Sequence, residues 1–132
     1  MANGVNHAND GIIRNIHSAF SSGQHPDASL FAADVVWHVE GHNPLAQTYR
    51  GRDEVFAAFR AFETASGKTL RVRLMSVAAN NEYALAVLHA SGTRNGQPYE
   101  CCEYDVYRIA HGSVQEFWSF SANQHATDAF WS

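Results

Sequence analysis

The apolar residues of this chain change their spacing near Lys68, and that change restricts the fold more than any other feature. Before it, Ile12, Ile13, Ile16, Ala19 and Phe20 recur at helical intervals behind Asp10, a helix-capping residue type, until Gly23 stops the run. Pro26-Asp27 opens a second short helix through Leu30, Phe31 and Ala32. Asp53 opens a third, with Val55, Phe56, Phe59 and Phe62 on one stripe that ends near Gly67. Between these lie a strand-forming run, Val35-Val36-Trp37-His38-Val39, and an irregular segment from Gly41 through Gly51 broken by Asn43-Pro44. After Lys68 the period is two. Leu70, Val72 and Leu74 alternate with Arg71 and Arg73, Asn80-Asn81 turns the chain, and Tyr83 to Ser91 forms the next strand. Asn95-Gly96 is a two-residue hairpin signal, His111-Gly112 leads into a last strand from Val114 to Ser121, and the tail ends in apolar Ala129-Phe130-Trp131. Helices followed by an antiparallel meander give an α+β fold: a curved sheet wrapped over three helices, closed at one end by their apolar stripes and open at the other.

The 132 residues suffice for one domain, 1–132, and not for two. Apolar residues at 45% exclude disorder, and a net charge of −4 with scattered basic residues argues against nucleic acid as a partner. No run approaches the roughly 20 apolar residues of a membrane span, and the polar start from Met1 to Asp10 does not read as a signal peptide. Cys101 and Cys102 are adjacent and in a strand face opposite ways, so they cannot bridge each other, in keeping with a cytoplasmic location.

The strand after the hairpin carries the chemistry. Cys101, Glu103, Asp105 and Tyr107 share one face, and Cys102, Tyr104 and Val106 the other. Strand interiors are depleted in Asp, and a carboxylate in a dry environment must be paired or protonated. Either that face is wet, or it lines a pocket where an acid with a raised pKa is useful.

Phe31 to Val39, Tyr49-Arg50-Gly51-Arg52-Asp53-Glu54-Val55, Asn95-Gly96-Gln97-Pro98 and Phe117-Trp118-Ser119-Phe120 together resemble the nuclear transport factor 2-like superfamily of ketosteroid isomerases and polyketide cyclases. The loop His42-Asn43-Pro44-Leu45-Ala46 and the ending Asp128-Ala129-Phe130-Trp131 resemble its SnoaL-like, polyketide-cyclase-type branch. The resemblance implies a cone-shaped barrel of three N-terminal helices packed on a strongly curved, mixed but mostly antiparallel sheet. Registered on Asn95-Gly96-Gln97-Pro98, it puts the protonated oxyanion-hole acid of ketosteroid isomerases on Asp105 and their pocket Trp on Trp118, which turns Glu116 inward too. Two isomerase groups are absent: the oxyanion-hole Tyr falls on Ile16 and the proton-moving Asp on Val39, between His38 and Glu40.

These expectations give a cofactor-independent enzyme that cyclises, isomerises or dehydrates a hydrophobic carbonyl compound, with Asp105 as acid and Glu116, His42 or His38 assisting. Trp37, Val39, Asn43, Leu88, Cys101, Glu103, Tyr107 and Trp118 would bind the substrate. A non-catalytic binder of hydrophobic ligands or a dimeric adaptor is the alternative; an epoxide hydrolase ranks behind both, since Arg108 points away from Asp105. His17 reads as lying off its helix's apolar stripe. No metal is expected, since His38, Glu40 and His42 lack further ligands and Gly41 and Pro44 break their strand. Superfamily members commonly pair through the outer sheet face, so a homodimer through Tyr104, Val106, Phe117 and His89 is expected.

Overall fold

Asn95 and Gly96 both adopt positive φ, +53° and +78°, as the primed turn of a two-residue hairpin requires. They join β4 (Tyr83–Arg94) to β5 (Gln97–Ala110) in an unbroken register, from Tyr83 opposite Arg108 to Arg94 opposite Gln97. β3 (Arg71–Ala79) pairs antiparallel with β4, and β6 (Ser113–Ser121) with β5. β6 then runs parallel to β1 (Phe31–Val39), which pairs antiparallel with the short β2 (Thr48–Arg50). The order β2-β1-β6-β5-β4-β3 is one mixed sheet of six strands whose edges do not meet, so it is not closed. Register shifts in β1, β3 and between β5 and β6 mark bulges, which bend strands. The fold is α+β. The computed structural model describes residues 7–132; the first six residues of the polar start lie outside the described residues.

Three helices cover the sheet: α1 (Ala8–Ser21) on β3 and β4, α2 (Arg52–Ala65) on β1 and β2, and α3 (Gln124–Trp131) on β5 and β6. Three details differ from expectation. The second N-terminal helix is a single 3₁₀ turn, Ala28–Leu30: the Asp27 side chain caps Ser29 N, and Phe31 is already extended and buried opposite Val114. The third helix comes instead from the tail, where Asn123 caps α3 by accepting from Ala126 N. Asp10 is not the cap of α1. His7 fills that role by accepting from Asn9 N, and Asp10 sits in the first turn, paired with Arg14.

The core is aromatic. Trp37 of β1, Phe117 of β6 and Tyr107 of β5 lie abreast on three adjacent strands and stack, with ring centroids 5.2 Å apart in each pair. Phe59 of α2 packs on Trp37. Among the residues expected on the outer face, His89 pairs there with Glu100, and Tyr104 and Val106 share its side of the sheet. Phe117 does not, because it faces the core at 2% exposure. No helix among the described residues is long and apolar enough to cross a membrane.

Candidate active site

Strand register assembles the site row by row. One step along from the Trp37–Phe117–Tyr107 row, Val39, Ser119 and Asp105 lie abreast, with Ala86 of β4 beyond Asp105. The next row holds Ser121, Glu103 and Leu88. Above these rows lies a cavity of about 300 Å³ with Trp37, Val39, Phe59, Leu88 and Phe117 among its walls and both carboxylates in its lining. That volume is at the small end for ligand pockets.

Asp105 is held on both oxygens. The Ser119 hydroxyl donates to Oδ1 at 2.7 Å and the Tyr107 hydroxyl to Oδ2 at 2.9 Å. Trp37 Nε1 donates to Ser119 Oγ at 2.8 Å, which fixes that hydroxyl from the other side. Burial pushes the Asp105 carboxyl up to about 6, while these two donors, which favour the charged form, pull against it. Glu103 is held on one side: the Tyr99 hydroxyl donates to Oε2 at 2.7 Å and is itself within 2.8 Å of Thr127 Oγ1 on α3. Oε1 has no hydrogen-bond partner among the described residues. Burial raises Glu103 to about 7; the Tyr99 bond opposes this, and the nearby Asp105 charge adds to it. Burial thus raises both acids that line this cavity above the usual carboxylate range.

Of the residues expected at the site, Asp105, Glu103, Tyr107, Trp37, Val39, Leu88 and Asn43 line the cavity. Glu116, His38 and Trp118 do not. They cluster on the opposite face, where His38 Nε2 meets Glu116 Oε2 at 2.6 Å, Trp118 stacks on the His38 ring, and Arg108 approaches Glu116 at 3.5 Å. The His38 hydrogen bond holds the Glu116 carboxyl below its usual range, the opposite of a pocket acid. The cause is a bulge: Arg108 pairs with Glu116 but Ile109 with Val114, so Gln115 is an extra residue that reverses the facing of everything after it. Phe117 and Ser119 therefore face inward. His42 is absent from the lining; its backbone N–H donates to Asp128 Oδ1, which ties the loop to α3. Cys101 packs beneath α3 against Ser121 Oγ at 3.3 Å. Ile16, where the resemblance to ketosteroid isomerases would put a Tyr, is fully buried in the core. Among the described residues no three His, Cys, Asp or Glu side chains converge as metal ligands.

One cavity residue was placed wrongly from sequence. His17 is buried at 2% exposure, and its Nε2 lies 2.8 Å from the Tyr107 hydroxyl and 3.9 Å from Asp105 Oδ2. Its spacing was the signal, because it is four residues after Ile13 and three before Phe20, inside the stripe.

The model of the SnoaL-like domain matches residues 13–117. The uncharacterised protein Rv0034 of Mycobacterium tuberculosis is 30% identical over 122 residues, which cover 91% of this chain and 93% of that protein. Among solved structures, Bal32a from a soil-derived mobile gene cassette superposes with a TM-score of 0.88 at 24% identity, covering 95% of this chain and 97% of its own. IdmH of Streptomyces antibioticus, described as a candidate polyketide cyclase, superposes with a TM-score of 0.71 at 19% identity, covering 92% and 96%.

Proposed function

The chain belongs to the SnoaL-like domain family, and from that premise we propose that it is a small cofactor-independent enzyme of the cytoplasm. It moves a proton on a hydrophobic, carbonyl-bearing small molecule bound in the cavity, in an isomerisation, a cyclisation or a dehydration. The observation that carries this reading is the pair of carboxylates, Asp105 and Glu103, in one apolar-walled cavity. Glu103 takes the place that Glu116 was expected to fill. Its free Oε1 and raised pKa suit the proton donor to a developing enolate oxygen. Asp105, fixed by Ser119 and Tyr107, suits the group that takes the proton from the adjacent carbon. In an isomerisation Asp105 delivers that proton to a second carbon while the oxygen proton returns to Glu103. In a ring closure the enol carbon attacks a second carbonyl carbon of the same molecule: its C=O π bond breaks, its oxygen takes the proton held by Asp105, and the enol oxygen returns its proton to Glu103 as the first carbonyl re-forms.

Exchange of solvent deuterium into the carbon beside the carbonyl of 2-tetralone, followed by NMR, tests this. Asp105→Asn and Glu103→Gln should each slow exchange by about 10²-fold or more, and Glu116→Gln should leave it unchanged. Exchange by wild type no faster than in buffer, or an Asp105→Asn variant as fast as wild type, overturns the proposal. The full occupation of both Asp105 oxygens by protein donors also fits a non-catalytic binder, and the same experiment separates the two. A homodimer through the outer sheet face, where Met75, Leu85 and Phe120 are exposed at 54%, 43% and 41%, belongs to this proposal.

A further inference from the structure

A buried chain of hydrogen bonds runs from α1 to the cavity: His17 Nε2 to the Tyr107 hydroxyl at 2.8 Å, and that hydroxyl to Asp105 Oδ2 at 2.9 Å. The other ring nitrogen, His17 Nδ1, is buried without any hydrogen-bond partner. A neutral imidazole carries its proton on one nitrogen only. Burial lowers His17 to about 4, so the ring is neutral across the working range. If the proton sat on Nδ1, the fold would hold an orphaned N–H, which buried sites avoid more strictly than an unused acceptor. The proton therefore belongs on Nε2, so Nε2–H donates to Tyr107 Oη. Tyr107 has a single proton to give and must then give it to Asp105.

We infer that His17 is a positioning residue: by donating from Nε2 it fixes the Tyr107 hydroxyl as a donor to Asp105, and so sets Asp105 as the base of the cavity. Reversing the chain, with a protonated Asp105 donating to Tyr107 and Tyr107 to His17, would require moving the imidazole proton to the sealed Nδ1. The fold thus opposes the use of Asp105 as a neutral donor and leaves that task to Glu103. The inference deepens the acid–base reading above.

Other groups act on Asp105 and define the controls. Glu103 faces it along β5, Ser119 from β6, and β4 contributes only Ala86 opposite it. The titratable or charged residues His25, Glu40, Glu63, Lys68 and Arg71 line the same cavity, and none of them is hydrogen-bonded to Asp105. Only His17 reaches it through Tyr107.

The test is a carbon-13 NMR titration of the Asp105 side-chain carboxyl in the full chain. His17→Leu removes the group that holds the Tyr107 hydroxyl as a donor, and the Asp105 midpoint should rise by up to about one pH unit as the Tyr107 hydrogen bond to the charged carboxylate loosens. His17→Gln, whose amide nitrogen reaches the Nε2 position, should restore the wild-type midpoint, whereas His17→Asn, which reaches only the Nδ1 position, should not. In a Tyr107→Phe background, His17→Leu should add no further shift. An unchanged midpoint in His17→Leu, a Gln variant no better than Asn, or a full extra shift in the Tyr107→Phe background overturns the inference. If His17→Leu fails to fold, the Gln and Asn pair decides alone. The readout is titration and not turnover, so this inference and the exchange activity fail separately.

Discussion

Glu103→Gln should make the protein more stable at alkaline pH and hardly change it at acid pH. In the folded chain the Glu103 carboxyl is raised from 4.5 to about 7, chiefly by burial. A carboxyl raised on folding binds its proton more tightly in the folded state, so folding is unhindered below 4.5 and loses stability as pH rises through the interval up to about 7. At about 1.36 kcal/mol per unit, the full cost above that interval is about 3 kcal/mol, and at pH 5 roughly 1 kcal/mol of it has accrued. Gln fills the same space and carries no charge, so it removes the pH-dependent part. Any constant offset from the changed Tyr99 contact cancels between the two pH values. The stability difference between Glu103→Gln and wild type should therefore be about 2 kcal/mol more favourable at pH 8 than at pH 5. Urea unfolding at the two pH values reads this as a midpoint change of about 1 M for a slope of about 2 kcal/mol/M. Wild-type and variant stabilities that run parallel from pH 5 to pH 8 would refute the reasoning, because Glu103 would then be an ordinary solvated carboxylate.

Phe117→Ala removes the middle ring of the Trp37–Phe117–Tyr107 stack and should cost about 3–5 kcal/mol in urea unfolding; a loss under 1 kcal/mol would deny that row its structural role. Gly41→Ala places a Cβ 2.4 Å from Gln124 Nε2 and 2.5 Å from Asp128 Oδ1 at a φ of +125°. It should loosen the loop that Asp128 holds to α3 and raise amide exchange at His42 and Asn43, while unchanged exchange there would show that the contact is slack. Sedimentation should give a dimer at micromolar concentration, and Leu85→Lys on the outer face should dissociate it; a wild-type monomer contradicts that interface.

The alternation of Cys101, Glu103, Asp105 and Tyr107 could be read directly because the Asn95-Gly96 turn anchors β5 and its pairing with β4 contains no bulge. β6 could not be read the same way. Its extra residue, Gln115, bonds to Ala110 O and the Ser113 oxygens, and no local pattern marks it, so counting in twos from either end gives opposite facings for Glu116 and Trp118. The second N-terminal helix failed for a different reason. Pro26-Asp27 is a good helix start, but burying Phe31 in β1 outweighs extending one turn. His17 is the reverse case: its place inside the apolar stripe, and not its polar type, decides its burial. That Ile16 and Val39 carry no polar group was legible, and so was the shared face of Tyr99 and Glu103, four residues apart on β5, whereas the His17–Tyr107 contact joins elements 90 residues apart and leaves no local signal.

The most direct measurement is a carbon-13 titration of every Asp and Glu side-chain carboxyl in the wild-type protein. Two carboxyls should lose their protons in steps between about 6 and about 7, belonging to the Asp105–Glu103 pair, with one resonance removed by Asp105→Asn and the other by Glu103→Gln. If every carboxyl instead titrates below pH 5, the cavity is wet, neither acid holds a proton at neutrality, and the proposed chemistry has no donor.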